Sequence, residues 1–187
     1  EVQQIEEKLK TALKPSRYRH TLGVAYTASC MAMVFGVDVH KAYRAGLLHD
    51  CAKCLTNEKR IFLCKKHNIQ MNEVELKNPQ LLHAKVGSFL AMEEFDIHDQ
   101  DIINAILNHT TGRPDMSLLE KIIYIADYME PGRKQAPNLS AIRKAAFEDL
   151  DKALLMILED TLSYLHSTGS VVDTMTQKTY DFYSQYS

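Results

Sequence analysis

Apolar residues recur at helical spacing from one end of this chain to the other, and no run alternates apolar and polar residues long enough to argue for a strand. That period leaves an arrangement of helices, each burying one face against its neighbours. Ile5, Leu9 and Leu13 stand four apart before Pro15-Ser16 punctuates the chain. Leu22, Ala25, Ala28 and Ala32 share a face leading to Gly36, a helix stop. Asp38 caps a helix through Leu47 and Leu48, and Thr56 caps one ending near Asn68. Asn78-Pro79 opens a helix from about Gln80 to Phe95, and Asp99 starts one that reaches His109. Thr110 to Asp115 is a loop by composition. Ser117-Leu118-Leu119-Glu120 has the capping-box pattern and opens the helix Leu118 to Met129, which Glu130-Pro131-Gly132-Arg133 closes. After Pro137 come a helix near Ala141 to Phe147, a longer one to about Thr168 stopped by Gly169, and a last one from Asp173 to Tyr183. The expected fold is all-α and a single domain.

The chain's 187 residues suffice for one self-sufficient core, and 45% apolar with 25% charged residues is an ordinary globular balance. The formal net charge of −2, with no strongly basic stretch, argues against a nucleic-acid partner. An anionic small molecule remains compatible with this charge if positive charge is focused locally. No apolar run approaches the roughly 18 residues that span a bilayer, and the charged segment Glu1 to Lys14 does not read as a signal peptide. A cytoplasmic location is the expectation. A homodimer, the commonest assembly of soluble proteins, stays open, although the pattern shows no exposed apolar stripe that demands one. Cys51-Ala-Lys-Cys54 has redox or zinc spacing, but it lacks a second close pair and a βαβ context. The pair reads as chance spacing on a helix, with free thiols.

Six residues carry the chemistry. His49–Asp50 ends an apolar helix face, and residues adjacent on a helix diverge by about 100°, so both reach one cation only at the edge of a cavity. Asp127 lies in Lys121-Ile-Ile-Tyr-Ile-Ala-Asp127, where a carboxylate is expensive to bury without a partner. The bland alternative puts it toward solvent or against Arg or Lys. His20, His83 and His109 each sit within or at the end of an apolar helix. Singly, each is an ordinary hydrogen-bonded histidine; together they match the way helical bundles assemble metal sites from facing helices. His98 reads as a loop residue, and His40, His67 and His166 lie in polar surroundings.

The order His20, His49–Asp50, Asp127 resembles the H…HD…D pattern of the HD-domain superfamily of phosphohydrolases. His49-Asp-Cys-Ala-Lys53, Asn108-His-Thr-Thr-Gly112 and Ala126-Asp-Tyr-Met-Glu-Pro-Gly-Arg133 are similar to the YqeK family, bacterial symmetrical bis(5′-nucleosyl)-tetraphosphatases that bind iron. The likeness runs from about Arg19 to Tyr183. It implies an HD-domain helical bundle over residues 1–187, with a metal-binding core at about 18–130 and C-terminal helices at about 138–187 completing the nucleotide site.

The resemblance further implies a divalent metal, iron or else manganese or a similar ion, held by His20, His49, Asp50 and Asp127. His83 and His109, implied with Asp50 as catalytic, face the phosphates or help to hold a second ion. Lys53, Thr110 and Arg133 fall near the nucleotide, as does the segment containing Ser170, Val171, Thr174 and Met175. Relatives often carry a proline before the last helix, where this chain reads Val-Val-Asp-Thr-Met-Thr. The implied reaction is symmetrical hydrolysis of a dinucleoside polyphosphate, above all diadenosine tetraphosphate, to ADP, or to GDP from the guanosine analogue. The alternatives are an HD phosphohydrolase for another nucleotide and a non-catalytic nucleotide-binding module.

Overall fold

A computed structural model describes residues 2–186 of the chain. Among them it has eleven α-helices and no strand: α1 (Val2–Ala12), α2 (Pro15–Phe35), α3 (Val39–Leu48), α4 (Asn57–Lys66), α5 (Glu73–Lys77), α6 (His83–Phe95), α7 (Gln100–Asn108), α8 (Leu118–Met129), α9 (Leu139–Ala145), α10 (Leu150–Ser167) and α11 (Thr174–Tyr183). The starts follow local chemistry. Asp38, Thr56, Asp99, Ser117 and Asp173 each accept hydrogen bonds from backbone N–H groups that a first helical turn leaves free. Ser117 and Glu120 close a reciprocal capping box. Gly36 and Gly169 take left-handed backbone angles, φ 70° and 64°, where the chain leaves α2 and α10.

α8 is the centre. Ile122, Ile123, Ile125 and Ala126 point in different directions around it, yet all are fully buried. A helix apolar all round must be enclosed, and α2, α7, α10, α3 and α9 pack against it. α2 lies along α3, and an added Cβ at Gly46 would stand 2.6 Å from Ala25 Cα, so only glycine permits this approach of the two backbones. One continuous core joins residues from α1 through α11. No helix among the described residues is long and apolar enough to cross a membrane.

Several expectations need correction. The segment from Pro79 to Leu82 is a 3-10 turn, and the α-helix begins only at His83. Proline favours the first turn but supplies no N–H. Helix α5 was not anticipated, although Asn72 and Glu75 form a capping box that the sequence displays. α9 covers Leu139–Ala145, earlier than Ala141 to Phe147. Cys51 and Cys54 lie in the turn after α3 rather than on a helix, and all four cysteines are free. Finally, α2 does present an exposed apolar stripe, with Tyr26, Met33 and Val34 each more than half exposed.

Candidate active site and metal centre

The site is built where helices end. His49 follows α3, His109 follows α7, and His83 follows the 3-10 turn. The last carbonyls of a helical turn lack internal partners. Each ring folds back and donates its Nδ1–H to the carbonyl three residues earlier: His49 to Gly46 at 2.6 Å, His83 to Gln80 at 2.5 Å and His109 to Ile106 at 2.7 Å. A carbonyl oxygen only accepts, so Nδ1 carries the proton, and in the neutral ring Nε2 keeps its lone pair. All three rings are buried. His20, from α2, uses the carboxylate of Glu130 in the same way, with Nδ1 3.1 Å from Oε1.

The four Nε2 atoms converge on two carboxylates. Asp50 is 2% exposed, and its two oxygens face different partners. Oδ2 lies 4.0 Å from His20 Nε2 and 3.5 Å from His49 Nε2, whereas Oδ1 lies 3.2 Å from His83 Nε2 and 3.5 Å from His109 Nε2. Asp127 Oδ1 is 2.9 Å from His20 Nε2 and 3.7 Å from His49 Nε2. Two groups of donor atoms thus share Asp50: one with His20 and His49, the other with His83 and His109.

This donor set fits a divalent cation on two independent grounds. First, His49 Nε2 and Asp50 Oδ1 are buried without a hydrogen-bond partner, a costly state unless a cation compensates it. Second, Nε2 of His83 and Nε2 of His109 are 3.0 Å apart. Two lone pairs that close repel unless a proton or a cation stands between or beside them. The electrostatics agree. Burial pushes the His49 imidazole toward neutrality, but the carboxylates of Asp50 and Asp127 outweigh burial and raise its pKa. Burial pushes the Asp50 carboxyl up, yet the close imidazoles, His49 first and then His109 and His83, hold it well below the usual range. Burial pushes the Asp127 carboxyl up as well, and its close contact with the His20 ring does most to lower it. His83 goes the other way: burial pulls it down to about 4, so it is neutral at pH 7 and serves as a lone-pair donor.

Around this centre opens a cavity of about 580 Å³, whose lining includes Lys53, His83, His109, Thr110, Asp127 and Arg133. Lys53 Nζ is 3.2 Å from His83 Nε2 and 4.0 Å from Asp50 Oδ1. The Thr110 hydroxyl is 3.3 Å from Nε2 of both His83 and His109. Arg133 donates to Asp127 Oδ1 at 3.0 Å from Nη2 and to the Asp127 carbonyl at 3.1 Å from Nε. The structure therefore brings together His20, His49, Asp50, Lys53, His83, His109, Thr110, Asp127 and Arg133. Ser170, Val171 and Thr174 are exposed and do not line this cavity. Met175 lines a smaller cleft of about 250 Å³ that it shares with Thr110. The bland reading of Asp127 holds in part: its side chain is 22% exposed and does pair with an arginine.

Sequence reasoning missed two supports. Arg17 donates from Nη1 to Asp50 Oδ2 at 2.8 Å. It stands three residues before His20, one turn earlier on the same helix face, which was a usable signal. Glu130 is buried against Gly23, where an added Cβ would meet Glu130 Oε2 at 2.5 Å. Nothing in the spacing of residues 23 and 130 announces that contact. His98, set aside from the sequence, is exposed and pairs with Asp96.

The HD domain family matches residues 17–132. The symmetrical bis(5′-nucleosyl)-tetraphosphatase of Halalkalibacterium halodurans is 40% identical over 174 residues, covering 92% of this chain and 91% of that protein. The protein of the same name from Bacillus subtilis is 39% identical over 174 residues, covering 93% of this chain and 92% of its own length. In three dimensions the chain is similar to a crystal structure from Clostridium acetobutylicum described as an HD superfamily hydrolase involved in NAD metabolism. That likeness has a TM-score of 0.96 and 42% identity, and covers 100% of this chain and 98% of the other.

Proposed function

From the premise that this chain belongs to the HD domain family, and within it to the family of the symmetrical bis(5′-nucleosyl)-tetraphosphatases, we propose that it hydrolyses a dinucleoside tetraphosphate at the middle of its phosphate chain. Diadenosine tetraphosphate is the expected substrate, and two ADP are the products. The observation that carries this reading is the pair of donor groups sharing Asp50 at the mouth of a cavity with Lys53, Arg133 and Lys134 in its lining.

His20, His49, Asp50 and Asp127 would hold a divalent ion, and imidazole with carboxylate and no thiolate suits iron, with manganese the nearest alternative. His83 and His109, with Asp50, have the same donor chemistry and serve a second ion or the substrate phosphates. A divalent ion bound here supplies Lewis acidity toward phosphoryl oxygens and makes water nucleophilic at neutral pH.

The chain's own residues do the rest. Arg17 fixes Asp50 through Oδ2, and Glu130 fixes the His20 ring. Lys53 and Arg133 place positive charge where phosphates lie, without reorganisation during the reaction. Neutral His83 offers its Nε2 lone pair as an acceptor. Helices α9 to α11 complete the nucleotide site, with Met175 contributing from the adjoining cleft. The unpaired cysteines suit a reducing, cytoplasmic setting.

The test is product analysis. Purified protein supplied with iron or manganese is incubated with diadenosine tetraphosphate, and nucleotides are separated by chromatography. Two ADP supports the proposal, and AMP with ATP contradicts it.

A further inference from the structure

The main cavity extends beyond everything the catalytic reading uses. Besides Lys53, His83, His109 and Arg133, its wall includes Tyr124, Tyr128, Ile157 and Thr161, with Lys134 and Gln135 also lining it. Tyr128 is held in place by α10, its hydroxyl donating to Asp160 at 3.3 Å. None of these six residues is a metal donor, and all but Lys134 are without a role in the chemistry described above.

The second cleft, of about 250 Å³, shares Thr110 with the main cavity and no other residue. Thr110 is also the residue whose hydroxyl lies 3.3 Å from both His83 and His109. The two hollows therefore meet beside His83 and His109, one of the two donor groups. This matters for a substrate with two nucleosides. A cleft of 250 Å³ falls below the roughly 300–1,000 Å³ typical of organic-ligand sites and cannot house both. The 580 Å³ cavity lies inside that range.

We propose that the part of the main cavity lined by Tyr124, Tyr128, Ile157 and Thr161 is a second nucleoside site. The two nucleosides of one substrate then occupy two different hollows, with the scissile anhydride between them at Thr110. The inference rests on the function proposed above and adds the reason for a symmetrical cut: a nucleoside diphosphate lies on each side of the centre. The chemistry of the wall suits a nucleoside. Tyrosine rings offer faces on which any base stacks. The Thr161 hydroxyl and the Gln135 amide offer donors and acceptors to ribose and base. Lys134 adds a cation for the phosphates on that side.

Two measurements test this on the metal-loaded protein. Equilibrium dialysis at saturating ADP is expected to show two ADP bound per chain, falling to one in Thr161→Trp, which fills that part of the cavity from α10. The same variant is expected to lose about ten-fold or more in kcat/KM for diadenosine tetraphosphate, the equivalent of one strong ligand contact. Tyr128→Ala, which removes the wall instead of filling the space, serves as the second variant, and thermal melting confirms that each is folded. One ADP per chain in the parent overturns the second site, as does a folded pair of variants with the parent's stoichiometry and kcat/KM. A parent that does not release two ADP from diadenosine tetraphosphate overturns the underlying function instead, so the two failures are distinct.

Discussion

His83 and His109 point their Nε2 atoms at one another across 3.0 Å, each with its Nδ1–H already committed to a backbone carbonyl. The rings cannot both relax by changing tautomer, because a carbonyl accepts and never donates. The pocket is thus built to take positive charge, and the nearest carboxylate oxygen, Asp50 Oδ1, has no hydrogen-bond partner of its own.

Metal removal follows from this directly. Chelation is expected to abolish hydrolysis and to lower Tm by about 5–10 °C, the shift that corresponds to losing a ligand present at about 100 times its Kd from a domain of this size. Adding back iron or manganese restores both. A melting curve indifferent to chelator and metal would remove the cation from the account.

Asp50 is the only residue common to both donor groups. Asp50→Ala is expected to strip the bound metal and to cut kcat by about 1,000-fold or more, since fixed charges at the reacting centre contribute most of the rate enhancement in chemistry of this kind. Metal content by mass spectrometry of the purified variant is the decisive readout. A variant that keeps its metal and its turnover contradicts the role given to Asp50.

Arg133 stands on the cavity side of Asp127. Arg133→Ala is expected to leave metal content intact, because His20 still holds Asp127 at 2.9 Å, and to weaken ADP binding about 10- to 100-fold, the worth of charge-assisted hydrogen bonds. Calorimetric titration with ADP reads this, and unchanged affinity takes Arg133 out of the substrate site.

Gly46 both allows α3 to touch α2 and, through its carbonyl, accepts the hydrogen bond from His49 Nδ1–H. Gly46→Ala would put a methyl group 2.6 Å from a backbone atom, Ala25 Cα, which cannot swing aside. The expected cost is about 1–3 kcal/mol, read as a lower Tm, together with weaker metal retention as His49 is displaced. A variant as stable as the parent would show that the two helices separate easily.

Glu120 gives a pH dependence away from the metal. Burial pushes its carboxyl up, but the Arg113 guanidinium at 2.6 Å and the Ser117 N–H outweigh burial and lower its pKa below the ordinary value of 4.5. A depressed carboxylate stabilises the fold fully above its unfolded pKa, and this contribution fades as pH falls through the lower folded value. Glu120→Gln is therefore expected to cost about 1–3 kcal/mol at pH 7, tempered by the part-exposed Arg113, and progressively less below about pH 4.5. Parallel Tm curves for parent and variant from pH 7 to pH 3 would contradict this.

Much of the helix plan was readable because its signals are local. Asp38, Thr56, Asp99, Ser117 and Asp173 act on N–H groups two or three residues away, so a short window contains cause and effect. Even the overlooked α5 carried such a signal in Asn72 and Glu75. The site was legible only as a likeness: the order of His20, His49–Asp50 and Asp127 matches a known pattern, but no spacing in the chain says that they meet.

By itself, then, the sequence determined an all-helical chain, the ends of most of its helices and the residue types available for metal chemistry, because backbone capping and apolar periodicity act within a few residues. Tertiary structure alone decided that four imidazoles converge on Asp50 and Asp127, that Arg17 and Glu130 hold them there, and that two hollows meet at Thr110. Those relations depend on how α2, α3, α6, α7 and α8 pack. Packing is settled by the summed burial of many side chains, such as Ala25 against Gly46, over distances along the chain that no local pattern encodes.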